Sequence, residues 1–332
     1  MSRSRSGTPQ RIAGRVLLAA LLLSGVATQA RAQAQPDDFR DKLLLLATGQ
    51  TGGTFRLLGE MLCDETNADR VRTLVRCVPV VTAGSDFNLQ AVENGSVQLG
   101  ISQEDLLATR YAEARPAGAS VLRTVAFMHA SPIAIVVRKT AGIASLPGIR
   151  GKIVNVGNRG SGQHRIALNI LAALQLRPED LGGVRYAPTS EHEAEFCQGR
   201  VDFVVEAVAH PSGLYRKLLE CGGEFLPLSP DIMERMKASN PFLTAMEIPA
   251  GTYPGQAMPL ATLGLRNVLF TSTQVGHESI FRFTRLLSGR FEELRAGQPL
   301  LQSVQPLATG IPSDWAVPLH TGARRALAGA TP

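Results

Sequence analysis

Charge and aromatic rings are both scarce in this sequence. Of its 332 residues 19% are charged and 5% aromatic, with a single Trp. That density is too low for a charge-rich coiled coil or a solvated disordered chain, and the 44% of apolar residues can build a core. Cysteine occupies four positions, with no CxxC and no His at zinc spacing, which excludes an ordinary structural metal site. The chain has no GxxxxGK[ST] loop and no HExxH, since His192-Glu193 stands alone. Gly157 to Gly162 reads GxxGxG, the reverse of the dinucleotide fingerprint, and Ser161 lacks the wider GxSxG frame of a nucleophile elbow. No cofactor and no metal are expected. No apolar run reaches the ~20 residues that span a bilayer.

The net charge of +6 suggests a polyanionic partner until its source is located. Arg3, Arg5, Arg11, Arg15 and Arg31 all fall within residues 1–32, which contain no acid and no Lys. Without them the balance is +1, and no electrostatic reason remains to expect nucleic acid. The same segment carries the apolar run Val16 to Leu23 and then the small-residue triplets Ala30-Arg31-Ala32 and Ala32-Gln33-Ala34. This is the layout of a secretory signal peptide over 1–32, cut within 30–34 to leave a mature end near Gln33 or Gln35. The mature protein is therefore expected in the periplasm, soluble and monomeric. In that oxidising compartment an even cysteine count favours disulfides. Four cysteines allow three pairings; the local one, Cys63 with Cys77 and Cys197 with Cys221, is expected, against the alternative of four buried thiols.

Beyond the linker the pattern is strand, turn, helix, repeated. Leu43 to Ala47 is a continuous apolar run of the kind buried on both faces of a parallel sheet. The glycine-rich turn Gly49 to Thr54 and a helical pattern follow. Val78 to Thr82 predicts a strand, Asn88 to Asn94 a helix capped by Ser85 or Asp86, and Leu99 to Ile101 a strand. A second cycle has strands at Ile133 to Val137 and Lys152 to Val156, a turn at Gly157 to Gly162 and a helix at Arg165 to Leu176. Val184 to Tyr186, Val201 to Val205 and a return strand at Thr262 to Phe270 precede a long helix over Glu278 to Arg295. Alternation of this kind predicts an α/β protein with parallel sheet. Two lobes fit better than one: residues 36–137 plus 228–332, and 138–227.

The two glycine-rich turns are the positive chemical signals. At each, glycine admits a ligand close to the backbone, and the N–H groups of the helix start face it. Thr51, Gly52, Gly53 and Thr54 form the first; Ser161 and Gly162, with Gln163 beside them, form the second. Neutral donors and a helix dipole suit a small carboxylate held between the lobes, where strands of open α/β sheets end. Glu206 closes the strand from Val201, so it is expected at the cleft, meeting an ammonium group or neutralised by Arg159 or His164.

These residues carry a resemblance. From about Leu43 to Leu307 the chain resembles solute-binding proteins of the TAXI branch of TRAP transporters. The matching motifs are Thr48 to Thr54, Thr82-Ala83-Gly84-Ser85 with Asn88, and Leu99 to Gln103 with Asp105. Gly160-Ser161-Gly162, His210-Pro211 and the unusual stretch Ile248 to Gln256 complete them. The resemblance implies a type II periplasmic-binding fold closing by hinge motion on a glutamate- or 2-oxoglutarate-like ligand. It also implies delivery to an integral membrane permease driven by an ion gradient, and it adds Ser85, Asn88, Gln103 and Tyr253 to the expected ligand contacts. Two departures stand out: Phe55-Arg56 replaces an aromatic pair, and Glu206 stands where an aromatic is frequent. Arg56 then offers a second carboxylate contact. An exported sensor module and a hydrolase using Ser161 or Glu206 are the competing classes.

Overall fold

A computed structural model describes residues 43–114, 118, 120–297 and 315–329 of the chain. The expected signal peptide and its cleavage zone lie outside the described residues.

The first apolar run is strand β1 (Leu43–Ala47), followed by α1 (Thr54–Ala68), a short α2 (Arg70–Thr73) and β2 (Arg76–Val80). Next come α3 (Ser85–Glu93), β3 (Leu99–Gln103) and α4 (Glu104–Ala114). β1 pairs in parallel with β2 on one side and β3 on the other, as a two-sided apolar strand requires. The 17-residue β4 (Leu122–Arg138) then leads into the second cycle. It holds β5 (Ile153–Asn155), α5 (Gly162–Ala173), β6 (Gly183–Arg185), α6 (Thr189–Cys197) and β7 (Phe203–Ala207). After α7 (Gly213–Glu220), β8 (Gly223–Phe225), α8 (Pro230–Ser239) and β9 (Thr244–Ile248), the chain returns through the long β10 (Leu260–Ser272). It then forms α9 (His277–Gly297) and α10 (Thr321–Ala328).

The strand order is β2-β1-β3-β10-β4-β7-β5-β6, with β8 added to β4 and β9 to β10. Both outer parts are parallel, as the alternation predicted, but the middle is antiparallel: β10 runs against β3 and β4, and β4 against β7. The result is one mixed α/β sheet, parallel at both ends and antiparallel at its centre. Its two halves have separate cores. One gathers Leu44, Leu46, Leu58, Leu99, Ile101 and Phe283; the other gathers Val137, Val154, Ile166 and Phe203. Leu228, Ile232, Met236, Leu243 and Leu263 belong to this second core, because α8 packs on α5.

Both local disulfides are present, Cys63–Cys77 joining α1 to β2 and Cys197–Cys221 joining the ends of α6 and α7. Two helix starts differ from the sequence expectation. α3 is preceded by Gly84 at φ 117°, and Ser85 turns inward so that its Oγ accepts from the Gln103 N–H at 3.3 Å. α5 begins three residues early because Ser161 caps it, Oγ accepting from the His164 N–H at 3.1 Å.

Candidate functional site

A cavity lies where the two half-sheets meet. Three helices, α1, α3 and α5, start at its wall, through Gly53 and Thr54, Gly84 and Ser85, and Ser161 and Gly162. The first-turn N–H groups of a helix have no partner within it, and the dipole leaves partial positive charge there. Three such ends make the wall an acceptor-seeking surface without any cationic side chain. Neither Lys nor Arg is among the lining residues.

The opposite charge comes from β7. Glu206 lines the cavity and is 3% exposed. Its Oε1 lies 2.9 Å from Nδ1 of the fully buried His192 and 3.4 Å from the Thr189 hydroxyl, which donates to it. Burial alone would lower the His192 pKa, but the hydrogen bond and charge of Glu206 outweigh it and leave the pKa raised. The neutralising partner expected for Glu206 was Arg159 or His164. The structure places His192 there instead, because Arg159 stacks on Tyr186 at 4.1 Å and His164 packs against the same ring.

The floor is formed by Gln103, an expected ligand contact, and by Asn267 and His129, which carry no signal in the sequence. Gln103 on β3, Asn267 on β10 and His129 on β4 all line the cavity, and burial pushes the His129 pKa down to about 3. Gln50 and Asn158 also line it and hydrogen-bond to each other across the two halves. Asn158 Nδ2 donates to Ala83 O at 2.9 Å, the Asp86 N–H to Gly160 O at 3.2 Å, and the Thr189 N–H to Gln50 Oε1 at 2.9 Å. These bonds bridge the two half-sheets beside the cavity.

Of the expected ligand contacts, Gly53, Thr54, Ser85, Gln103, Ser161, Gly162, Gln163 and Glu206 are brought together at this cavity. Four are not. Thr51 and Gly52 face a separate outer groove, together with Arg56, which pairs with Glu60 and donates to Pro79 O. Asn88 is fully buried and structural: its Nδ2 donates to Thr48 O at 2.6 Å and Ile101 O at 2.7 Å, tying the ends of β1 and β3 together. Tyr253 packs into an aromatic group with Tyr215 and Phe225, and its hydroxyl accepts from the Ser212 N–H at 2.8 Å. Burial pushes its pKa up to about 12. At Gly162 a Cβ would sit 2.4 Å from the Gln103 amide carbon, so a larger residue there would push the Gln103 side chain aside. Ser161 Oγ donates to Asn158 O at 2.7 Å and accepts from a backbone N–H, so it has the contacts of a cap and not of a nucleophile. Among the described residues no His, Cys, Asp and Glu group suits a metal ion, and no helix is long and apolar enough to cross a membrane.

Comparison with known proteins adds a family and a fold. The model of the NMT1-like family matches residues 46–328. A solved structure from Bordetella bronchiseptica RB50 superposes with a TM-score of 0.51 at 14% identity, covering 88% of this chain and 91% of that one. The alkanesulfonate-binding protein SsuA from Xanthomonas axonopodis pv. citri, bound to MOPS, gives 0.46 at 18% identity, covering 86% and 83%. An ancestral arginine-binding protein bound to arginine gives 0.46 at 14% identity, covering 77% and 97%.

Proposed function

We propose a transport role for this chain, which belongs to the NMT1-like family: it captures a small carboxylate or amino acid between two lobes and delivers it to a membrane transporter. The carrying observation is the pairing of three converging helix N-termini with one buried carboxylate, Glu206, in a cavity without Lys or Arg. The helix ends suit a ligand carboxylate, and Glu206 suits an α-ammonium group. A zwitterion answers both.

The lobes are joined through β4 and β10, and closure by bending at these strands traps the solute. The signal layout and the two disulfides support an extracytoplasmic location. The motifs shared with TAXI proteins favour a TRAP-type permease as the partner, so uptake should stop when the ion gradient is dissipated and survive depletion of ATP.

A thermal-shift and calorimetric screen of amino acids and carboxylates tests the binding role. A ligand at 100 times its Kd stabilises the fold by about 2.7 kcal/mol, an increase easily read as a rise in Tm. No shift with any amino acid or carboxylate would remove this function. Turnover of a bound compound into a new product would return the enzyme reading.

A further inference from the structure

On the side away from the cavity, the first half ends in a tip that is both basic and apolar. β1 and β2 run in parallel, and the turns that follow them, at Gly49 and at Ala83, line the cavity. Their starts lie at the opposite pole. Arg76 opens β2 there as register partner of Leu43, and α2 leads directly into it. The sequence at this pole is Arg70-Val71-Arg72-Thr73-Leu74-Val75-Arg76, which holds three Arg and no acid.

Two features of the tip serve the fold badly. Val71 is 90% exposed, more than any other large apolar side chain among the described residues, and Leu74 is 52% exposed. Leu74 also closes α2 in the left-handed conformation, at φ 55°, where a bulky residue is strained and glycine is usual. The other side of α2 has ordinary packing. Asp69 and Thr73 face the groove against α9, and the Thr73 carbonyl accepts from Arg282 Nη1 at 3.4 Å. Glu65 pairs with Arg290 of α9, and Asp69 lines the same groove. Asp64, exposed near the end of α1, sets one negative charge against the three Arg. Among the described residues neither Arg70 nor Arg76 has an ion pair.

We propose that this tip docks the protein on the surface of an anionic bilayer, with Val71 and Leu74 in the headgroup layer and Arg70 and Arg76 at lipid phosphates. Apolar side chains leave water in that layer, and guanidinium groups pair with phosphate oxygens. A fluid layer covers a protruding Val71 without a matched pocket, which a rigid protein partner would need. Strain and exposure at Leu74 then have a use, since such costs persist where a surface is kept for a function. The cavity, at the opposite end of β1 and β2, faces away from the lipid. This contact is independent of which solute the cavity takes.

Vesicle co-sedimentation of the purified mature protein tests this. At low salt the protein should partition onto phosphatidylcholine vesicles containing about 30% phosphatidylglycerol about tenfold or more above phosphatidylcholine alone, and should come off near about 0.5 M NaCl. Arg70→Gln with Arg76→Gln should lower the partition about twenty-five-fold, at about fivefold for each Arg. Leu74→Gly should lower it about threefold while Tm holds or rises, because glycine relieves the left-handed turn. That combination separates a lost contact from a lost fold. No preference for phosphatidylglycerol overturns the proposal, as does equal partition of the wild type and the double Arg variant. A dimer by light scattering that Leu74→Gly returns to monomer also overturns it, making the tip an interface between copies. Solute affinity is no part of the readout, so failure of the binding role and failure of this inference are distinguishable.

Discussion

Glu206 and His192 show how much one buried contact can decide. A carboxylate in this position needs a cation, and the imidazole 2.9 Å away supplies it from the next helix. Because folding raises the His192 pKa above 6.5, the pair contributes stability in full below about pH 6.5 and loses it as pH rises through the folded value. The urea midpoint of the wild type should therefore fall between about pH 6 and about pH 8 by more than that of His192→Gln. Parallel curves would show that the pair has no such linkage. Glu206→Gln tests the other side of the contact. Amino-acid affinity should drop roughly tenfold or more, with affinity for the matching oxo acid held or raised, as calorimetry would read. Equal losses would place Glu206 outside the ligand's reach. Gly53, Thr54, Ser161 and Gly162 could be named as candidates because they sit at glycine turns between strand and helix, although Thr51 and Gly52 beside them face the outer groove. Asn88 and Tyr253 misled because a motif records that a residue type is required and not what it touches; both serve the backbone. His129 and Asn267 left no local signal, since register alone makes them neighbours.

At the level of elements, the start of α5 joins folding to the site. Ser161 caps the helix whose first N–H groups face the cavity. Its removal acts first on the helix: Ser161→Ala should lower stability by ~1 kcal/mol, seen as a drop of a few degrees in Tm without ligand. Unchanged stability combined with lost binding would instead make the hydroxyl a direct ligand contact. The strands with continuous apolar runs, β1 and β7 among them, were plain from sequence, their ends within two residues of those observed. The length of β4 was hidden. His129-Ala130-Ser131-Pro132 interrupts its apolar pattern midway, so only Ile133 to Val137 reads as a strand, although pairing with β10 continues through the interruption. The short β8 and β9 were missed for the opposite reason, having too few residues to show a period.

For the whole molecule, the fold class followed from alternation, while the antiparallel centre did not, because local pattern cannot say where a late strand inserts. Asn158 makes two of the hydrogen bonds that bridge the half-sheets beside the cavity, to Gln50 and to Ala83 O. At ~1 kcal/mol for each hydrogen bond, Asn158→Ala should weaken ligand binding by about tenfold to thirtyfold. Small-angle scattering should show a more extended unliganded particle. Identical scattering and affinity would mean that these bonds do not govern closure.

The position of β10 has a consequence for how such a chain is made. It is among the last strands synthesised, yet it lies between β3 and β4 at the middle of the sheet. Until about residue 272 has been made, the growing chain holds two incomplete edges with a strand-wide gap between them. Non-local pairing of this sort forms late and slowly. The polypeptide is thereby kept open and threadable for most of its length, the form that passage through a narrow channel requires.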